Sequence, residues 1–148
     1  MALDDFKGKV AFVTGASTKR GMGRAIALRL AAAGADMAIL DKYPAPKSLF
    51  PGDEGWRGLE EEVEEIKALG REALALTTDI SNSSECNEAV KKVLEKFGRI
   101  DIFVHSAVSP GPWPIAPSTY IAKACGQRTS RRSQPRCAIS PSRCFVTL

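Results

Sequence analysis

A doubly wound parallel α/β fold is predicted on three grounds: short apolar runs that recur between amphipathic stretches, a glycine loop after the first run, and an aspartate closing the second. The apolar strand cores fall at 10–13, 37–40, 73–76 and 102–104, with helical patterns between them. Connection handedness then sets the order. The first two crossovers cover one face of the sheet and the third returns across the other, which gives 3-2-1-4.

The first element is the run Val10-Ala11-Phe12-Val13, followed by Thr14-Gly15-Ala16-Ser17-Thr18-Lys19-Arg20-Gly21-Met22-Gly23 and then by Arg24-Ala25-Ile26-Ala27-Leu28-Arg29-Leu30. That reads as strand, glycine loop and helix. Glycines let backbone N–H groups and the positive end of a helix dipole approach a pyrophosphate closely, because they carry no Cβ. Gly15, Gly21 and Gly23 fit this use, with Met22 at the helix start and Ser17 and Arg20 in the loop. A turn that merely joins strand to helix would account for the same glycines.

The second run, Met37-Ala38-Ile39-Leu40, ends in Asp41, which lies 20 residues after Gly21. A carboxylate there can accept from adenosine ribose hydroxyls and repels a 2′-phosphate, which favours NAD over NADP. Lys19 and Arg20 pull the other way, since a basic pair in the glycine loop could neutralise that phosphate. NAD is the expected cofactor, and NADP is not excluded.

Between Asp41 and Trp56 runs a long connection rich in proline and glycine, expected to be a surface excursion near the adenosine end of the site. The second helix is marked by Leu59, Val63, Ile66 and Leu69. Glu60, Glu61, Glu62, Glu64 and Glu65 are expected largely on its solvated face. The third helix begins at an Asn82 cap with Glu85 three residues on, buries Val90, Val93, Leu94 and Phe97, and stops at Gly98.

Composition narrows the class further. The 148 residues, 44% hydrophobic and 26% charged, suit one soluble domain, and no signal peptide or membrane span is visible. The formal charge of +4 is misleading as a sign of nucleic-acid binding. Residues 1–115 carry 15 Lys and Arg against 17 Asp and Glu, so the body is slightly acidic and the excess sits in the tail, without aromatic interleaving or a recognition motif. Neither nucleic acid nor membrane is expected as a partner. Cys86, Cys125, Cys137 and Cys144 match no zinc spacing and read as free thiols of a cytoplasmic protein.

These residues resemble the short-chain dehydrogenase/reductase family of the classical type, which includes the 3-oxoacyl carrier-protein reductases. The resemblance rests on the glycine loop through Ala27, on Asp41, on Thr78-Asp79-Ile80, and on Lys96 to Val104, covering residues 6 to about 108. It implies a partial Rossmann-like domain over 1–108 that binds NAD(P), and a hydride transfer between nicotinamide and a small carbonyl or alcohol substrate. It also implies adenine contacts from the Asp79 carboxylate and the Ile80 backbone. On local sequence Asp79 serves equally well as a cap before the third helix.

Two departures stand out. The glycine loop has five residues between Gly15 and Gly21 where three are usual. Where the family has Asn-Asn-Ala-Gly after the fourth strand, this chain has His105-Ser106-Ala107-Val108, with Ala107 alone matching.

The family's acid–base pair is Tyr-x-x-x-Lys, in which a nearby ammonium lowers the phenol pKa. This chain offers Tyr120 and Lys123, three residues apart, only 16 residues after Val104 and without room for the intervening helix and strand. Residues 109–148 lack amphipathic period and read as an irregular basic tail rather than a domain. One reading is a loss of reading frame between Ser109 and Lys123, leaving a truncated member with strand four as an open edge prone to self-association. The reading is an oxidoreductase of this type whose catalytic half, with its Ser/Tyr-x-x-x-Lys set, is missing from this chain; the alternative is a catalytically inactive dinucleotide-binding or interaction fragment.

Overall fold

The computed structural model describes residues 5–47, 50–107 and 144–147. Strands β1 (Val10–Thr14), β2 (Asp36–Asp41), β3 (Ala73–Thr77), β4 (Ile102–His105) and β5 (Cys144–Thr147) form one parallel sheet in the order β3-β2-β1-β4-β5. Helices α1 (Met22–Ala32), α2 (Leu59–Ala68) and α3 (Ser83–Phe97) connect them.

Strand residues alternate between two buried faces, which is why the runs are apolar throughout. Ala11, Val13, Met37, Ile39, Ile102 and Val104 join the core under α1 and α2. Val10, Phe12, Ala38, Leu40 and Phe103 join the one under α3. The small buried residues Gly23, Ala27 and Ala31 let α1 lie close against the sheet. Two crossovers on one face and one on the other put the switch point between β1 and β4, with Thr14 opposite both Leu40 and His105 in register.

The third helix ends as its sequence dictates. The Asn82 side chain accepts from Ser84 N at 3.0 Å and donates to Glu85 Oε1 at 3.0 Å, while Gly98 takes the left-handed conformation at φ 74°. Cys86 lies buried in this helix as a free thiol, and burial pushes its pKa up to about 11. It is therefore inert at neutral pH. None of the described helices is long and apolar enough to cross a membrane.

Three expectations change. The outer edge of β4, expected to be open, is paired along its length with β5. Leu69 and Leu94, placed by spacing in buried stripes, are exposed, because Leu69 sits at the α2 C-cap and Cys86 and Ala89 complete the α3 stripe instead. Glu62, assigned to a solvated face, is wholly buried between Leu59 and Ile66 on the inner side of α2.

Candidate dinucleotide site

Parallel sheets bind ligands beyond the carboxyl ends of their strands at the switch point, and the sequence-predicted loop lies there. Gly15 leaves β1 at φ 76°, with its N–H bonded to Leu40 O at 2.8 Å. A Cβ on Gly15 would stand 2.7 Å from the Ala107 backbone, so only glycine lets the loop pass beneath the end of β4. Gly23, in the first turn of α1, is tighter: a Cβ there would meet Gly15 O at 2.2 Å. Gly21 is the N-cap of α1, its own N–H bonded to Thr18 O at 2.9 Å, and Met22 opens the helix, 60% exposed. The first N–H groups of α1 have no acceptor within the helix and face the crevice above β1, as an anionic ligand requires.

Thr14 joins the two strands that flank this crevice. Its Oγ1 accepts from Ser106 N at 3.2 Å and Ala107 N at 3.3 Å and lies 2.9 Å from His105 Nδ1. With two N–H groups already donated to it, the Thr14 hydroxyl directs its own hydrogen at Nδ1, which assigns the proton of the neutral ring to Nε2. His105 is buried, stacks on Phe103, and has its pKa lowered by desolvation from the ordinary 6.5. Its Nδ1 is engaged by Thr14, which in turn holds the backbone at Ser106 and Ala107. The unfolded chain takes up the His105 proton first, so this residue lowers stability as pH falls below about 6.5 and is silent above it. His105→Asn keeps an acceptor for Thr14 and is expected to be the more stable chain at pH 5 to 6, with unchanged dinucleotide affinity. Urea unfolding across that range checks it, and a loss of stability or affinity would count against this role.

At the end of β2, Asp41 is held by the glycine loop itself. Its Oδ2 accepts from Ser17 N at 3.0 Å and Ser17 Oγ at 2.9 Å, and its Oδ1 from Lys42 N at 2.7 Å. Asp79 follows β3, with Oδ2 2.7 Å from Lys42 Nζ and Oδ1 accepting from Ser81 N and Ser81 Oγ. Lys42, with the Ser81 hydrogen bonds, holds its carboxyl down to about 2. Helix α3 is capped by Asn82 rather than by Asp79. The Ile80 side chain packs into the core under α3, and its carbonyl accepts from Cys86 Sγ at 3.5 Å. Tyr120 and Lys123 lie outside the described residues.

The connection after Asp41 is more than a surface excursion. Trp56 is buried and donates from Nε1 to Ser17 O at 2.8 Å. Arg24 stacks over the Trp56 ring at 5.0 Å, pairs with Glu65 of α2 at 2.6 Å, and donates to Lys19 O at 3.1 Å. Asp53, 4% exposed, faces Arg20 Nη2 at 3.1 Å and Lys19 Nζ at 4.0 Å. Sequence reasoning missed Asp53, Trp56 and the Arg24–Glu65 pair. The one signal available was a tryptophan closing a proline- and glycine-rich connection.

A glycine cradle, a helix N-terminus and a carboxylate gathered at the switch point of a parallel sheet define a nucleotide-binding α/β domain. The chain belongs to the short-chain dehydrogenase family, whose model it matches over residues 9–119. It is 39% identical over 108 residues to the cyclohexanol dehydrogenase of Rhodococcus sp. (strain TK6), covering 68% of this chain and 37% of that protein. Against the 3-oxoacyl-[acyl-carrier-protein] reductase FabG of Staphylococcus epidermidis, identity is 39% over 99 residues, 67% of this chain and 35% of the relative. Carveol dehydrogenase from Mycobacterium avium in complex with NAD superposes with a TM-score of 0.64 at 28% identity, over 81% of this chain and 49% of that one. The chain thus spans little more than a third of the two curated relatives and half of the solved structure.

Proposed function

We propose that residues 1–108 form the dinucleotide-binding unit of an oxidoreductase that moves a hydride between nicotinamide and a carbonyl or alcohol, that it prefers NAD, and that it works in the cytoplasm. The observation that carries this is the Gly15–Gly23 contact: a Cβ at Gly23 would lie 2.2 Å from Gly15 O, so the loop and the start of α1 form a cradle built around missing side chains. Such closeness packs the start of α1 against the end of β1, which brings the helix N-terminus to where a pyrophosphate would lie. The residues present fit a pyrophosphate at the α1 N-terminus and a ribose at Asp41, and NAD in the Mycobacterium avium relative supports the same ligand here.

Each residue then has a task. Gly15, Gly21, Met22 and Gly23 present backbone to the pyrophosphate, with Ser17 orienting Asp41 toward the ribose hydroxyls through two hydrogen bonds. The same carboxylate repels a 2′-phosphate, which supports NAD. Asp79 and the Ile80 backbone flank the adenine, with Asp79 sharing its acceptor atoms between adenine and Lys42. Ala107 and Thr14 keep the end of β4 against the loop. The bound dinucleotide would supply or accept the hydride; the family's Tyr-x-x-x-Lys pair has no match after β4 of this chain, where Tyr120 and Lys123 stand three residues apart.

Calorimetric titration of the 148-residue chain with NADH and with NADPH tests the reading. Saturable binding, tighter for NADH, is expected. A folded chain that binds neither would overturn it.

A further inference from the structure

The connection between β2 and α2 carries a turn at 50–53 that grips the two cations of the glycine loop. Arg20 Nη2 donates to Pro51 O at 3.0 Å and lies 3.1 Å from Asp53 Oδ1. Lys19 Nζ donates to Gly52 O at 3.4 Å and lies 4.0 Å from the same carboxylate oxygen. The Arg20 guanidinium also sits 6.0 Å from the centre of the Phe50 ring. Asp53 is 4% exposed, and its Oδ1 has no aligned hydrogen bond. A buried carboxylate oxygen in that position is compensated by charge, and the cations within 4.0 Å of it are Lys19 and Arg20.

Both cations follow closely on Ser17, which binds Asp41. They are thus attached to the loop segment that faces the adenosine 2′ position, where free basic side chains would attract a phosphate. In the structure both are engaged by the 50–53 turn instead. We propose that Asp53 is a specificity-determining residue of the dinucleotide site: by holding Lys19 and Arg20 against the 50–53 turn it withholds them from a 2′-phosphate, so that Asp41 alone sets the preference. This rests on the dinucleotide reading above and adds a second, remote determinant to it. Asp53 is a positioning residue, since it acts through the two cations and not on the ligand.

The test is a set of titrations with NADH and NADPH on the full chain. Asp53→Asn keeps shape and removes the charge. It is expected to lower the NADH-over-NADPH affinity ratio by about tenfold, the worth of one charge-assisted hydrogen bond regained by the phosphate. Adding Lys19→Met and Arg20→Met to Asp53→Asn is expected to erase that gain. In the parent background the same double substitution should leave the ratio unchanged, and this arm does not depend on the Asp53 variant folding. An unaltered ratio in folded Asp53→Asn, or a selective loss of NADPH affinity in the parent double variant, would overturn the proposal while leaving the function standing. A parent that binds neither dinucleotide would overturn both.

Discussion

Gly23→Ala is expected to abolish dinucleotide binding while leaving most of the sheet intact. The added Cβ would lie 2.2 Å from Gly15 O, 2.8 Å from Gly15 C and 3.2 Å from Ala16 Cα. All three are backbone atoms anchored by the Gly15 N–H bond to Leu40 O, so no flexible side chain can swing aside. Relief requires α1 to move off the loop, and overpacking of this kind costs roughly 1–3 kcal/mol of stability. The larger effect falls on the ligand. Moving the helix start by even part of an ångström misaligns the N–H groups that meet the pyrophosphate, and losing about two charge-assisted hydrogen bonds lowers affinity by ~100-fold or more. Gly21→Ala offers the contrast, since the nearest atoms its Cβ would meet are those of Thr18 at 3.1 to 3.3 Å. It should weaken binding far less. Calorimetry with NADH, with far-ultraviolet circular dichroism to follow the fold, separates the two, and equal losses in both variants would mean that the Gly15–Gly23 contact is not what shapes the cradle.

The strands, their order and the glycine loop were legible because each is a local pattern: an apolar run buried on two faces, a glycine where backbone meets backbone, an asparagine with a glutamate three residues on. Other features depend on partners far apart in the chain. Nothing near Asp53 says that Lys19 and Arg20 will fold against it, and nothing near Trp56 says that its indole will reach Ser17 O. Residues 144–147 are too short an apolar run to announce a strand, and they become one through the register offered by β4. Glu62 is different, since its spacing points inward. It stands three residues after Leu59 and four before Ile66, the spacing of one helix face, although the glutamates around it make a polar run.

That burial has the second large consequence. Neither oxygen of Glu62 has a hydrogen-bond partner, and desolvation pushes its pKa from 4.5 up to about 8. Arg24 of α1 pulls it down, while Glu65 of α2 and Asp41 at the end of β2 raise it further. The Arg24 guanidinium is already committed to Glu65 and the Trp56 ring, so it does not complete a pair with Glu62. The folded chain therefore keeps Glu62 protonated at neutral pH, whereas the unfolded chain ionises it above about 4.5. Stability associated with this group is at its highest below the unfolded value, declines as pH rises toward about 8, and is level above that. His105 acts in the opposite sense below about 6.5, so the parent's profile is the sum of two slopes that single variants separate.

Glu62→Met removes the ionisable group and fills most of its volume. It is expected to stabilise the chain by roughly 3–4 kcal/mol at pH 7, about 1 kcal/mol more at pH 8, and little at pH 4.5, following about 1.4 kcal/mol per pKa unit. Glu62→Gln should gain less, because its amide remains buried without a partner. Urea unfolding of parent and variants from pH 4.5 to 9 reads this directly. Curves that run parallel across that range would show that Glu62 does not hold its proton in the folded chain.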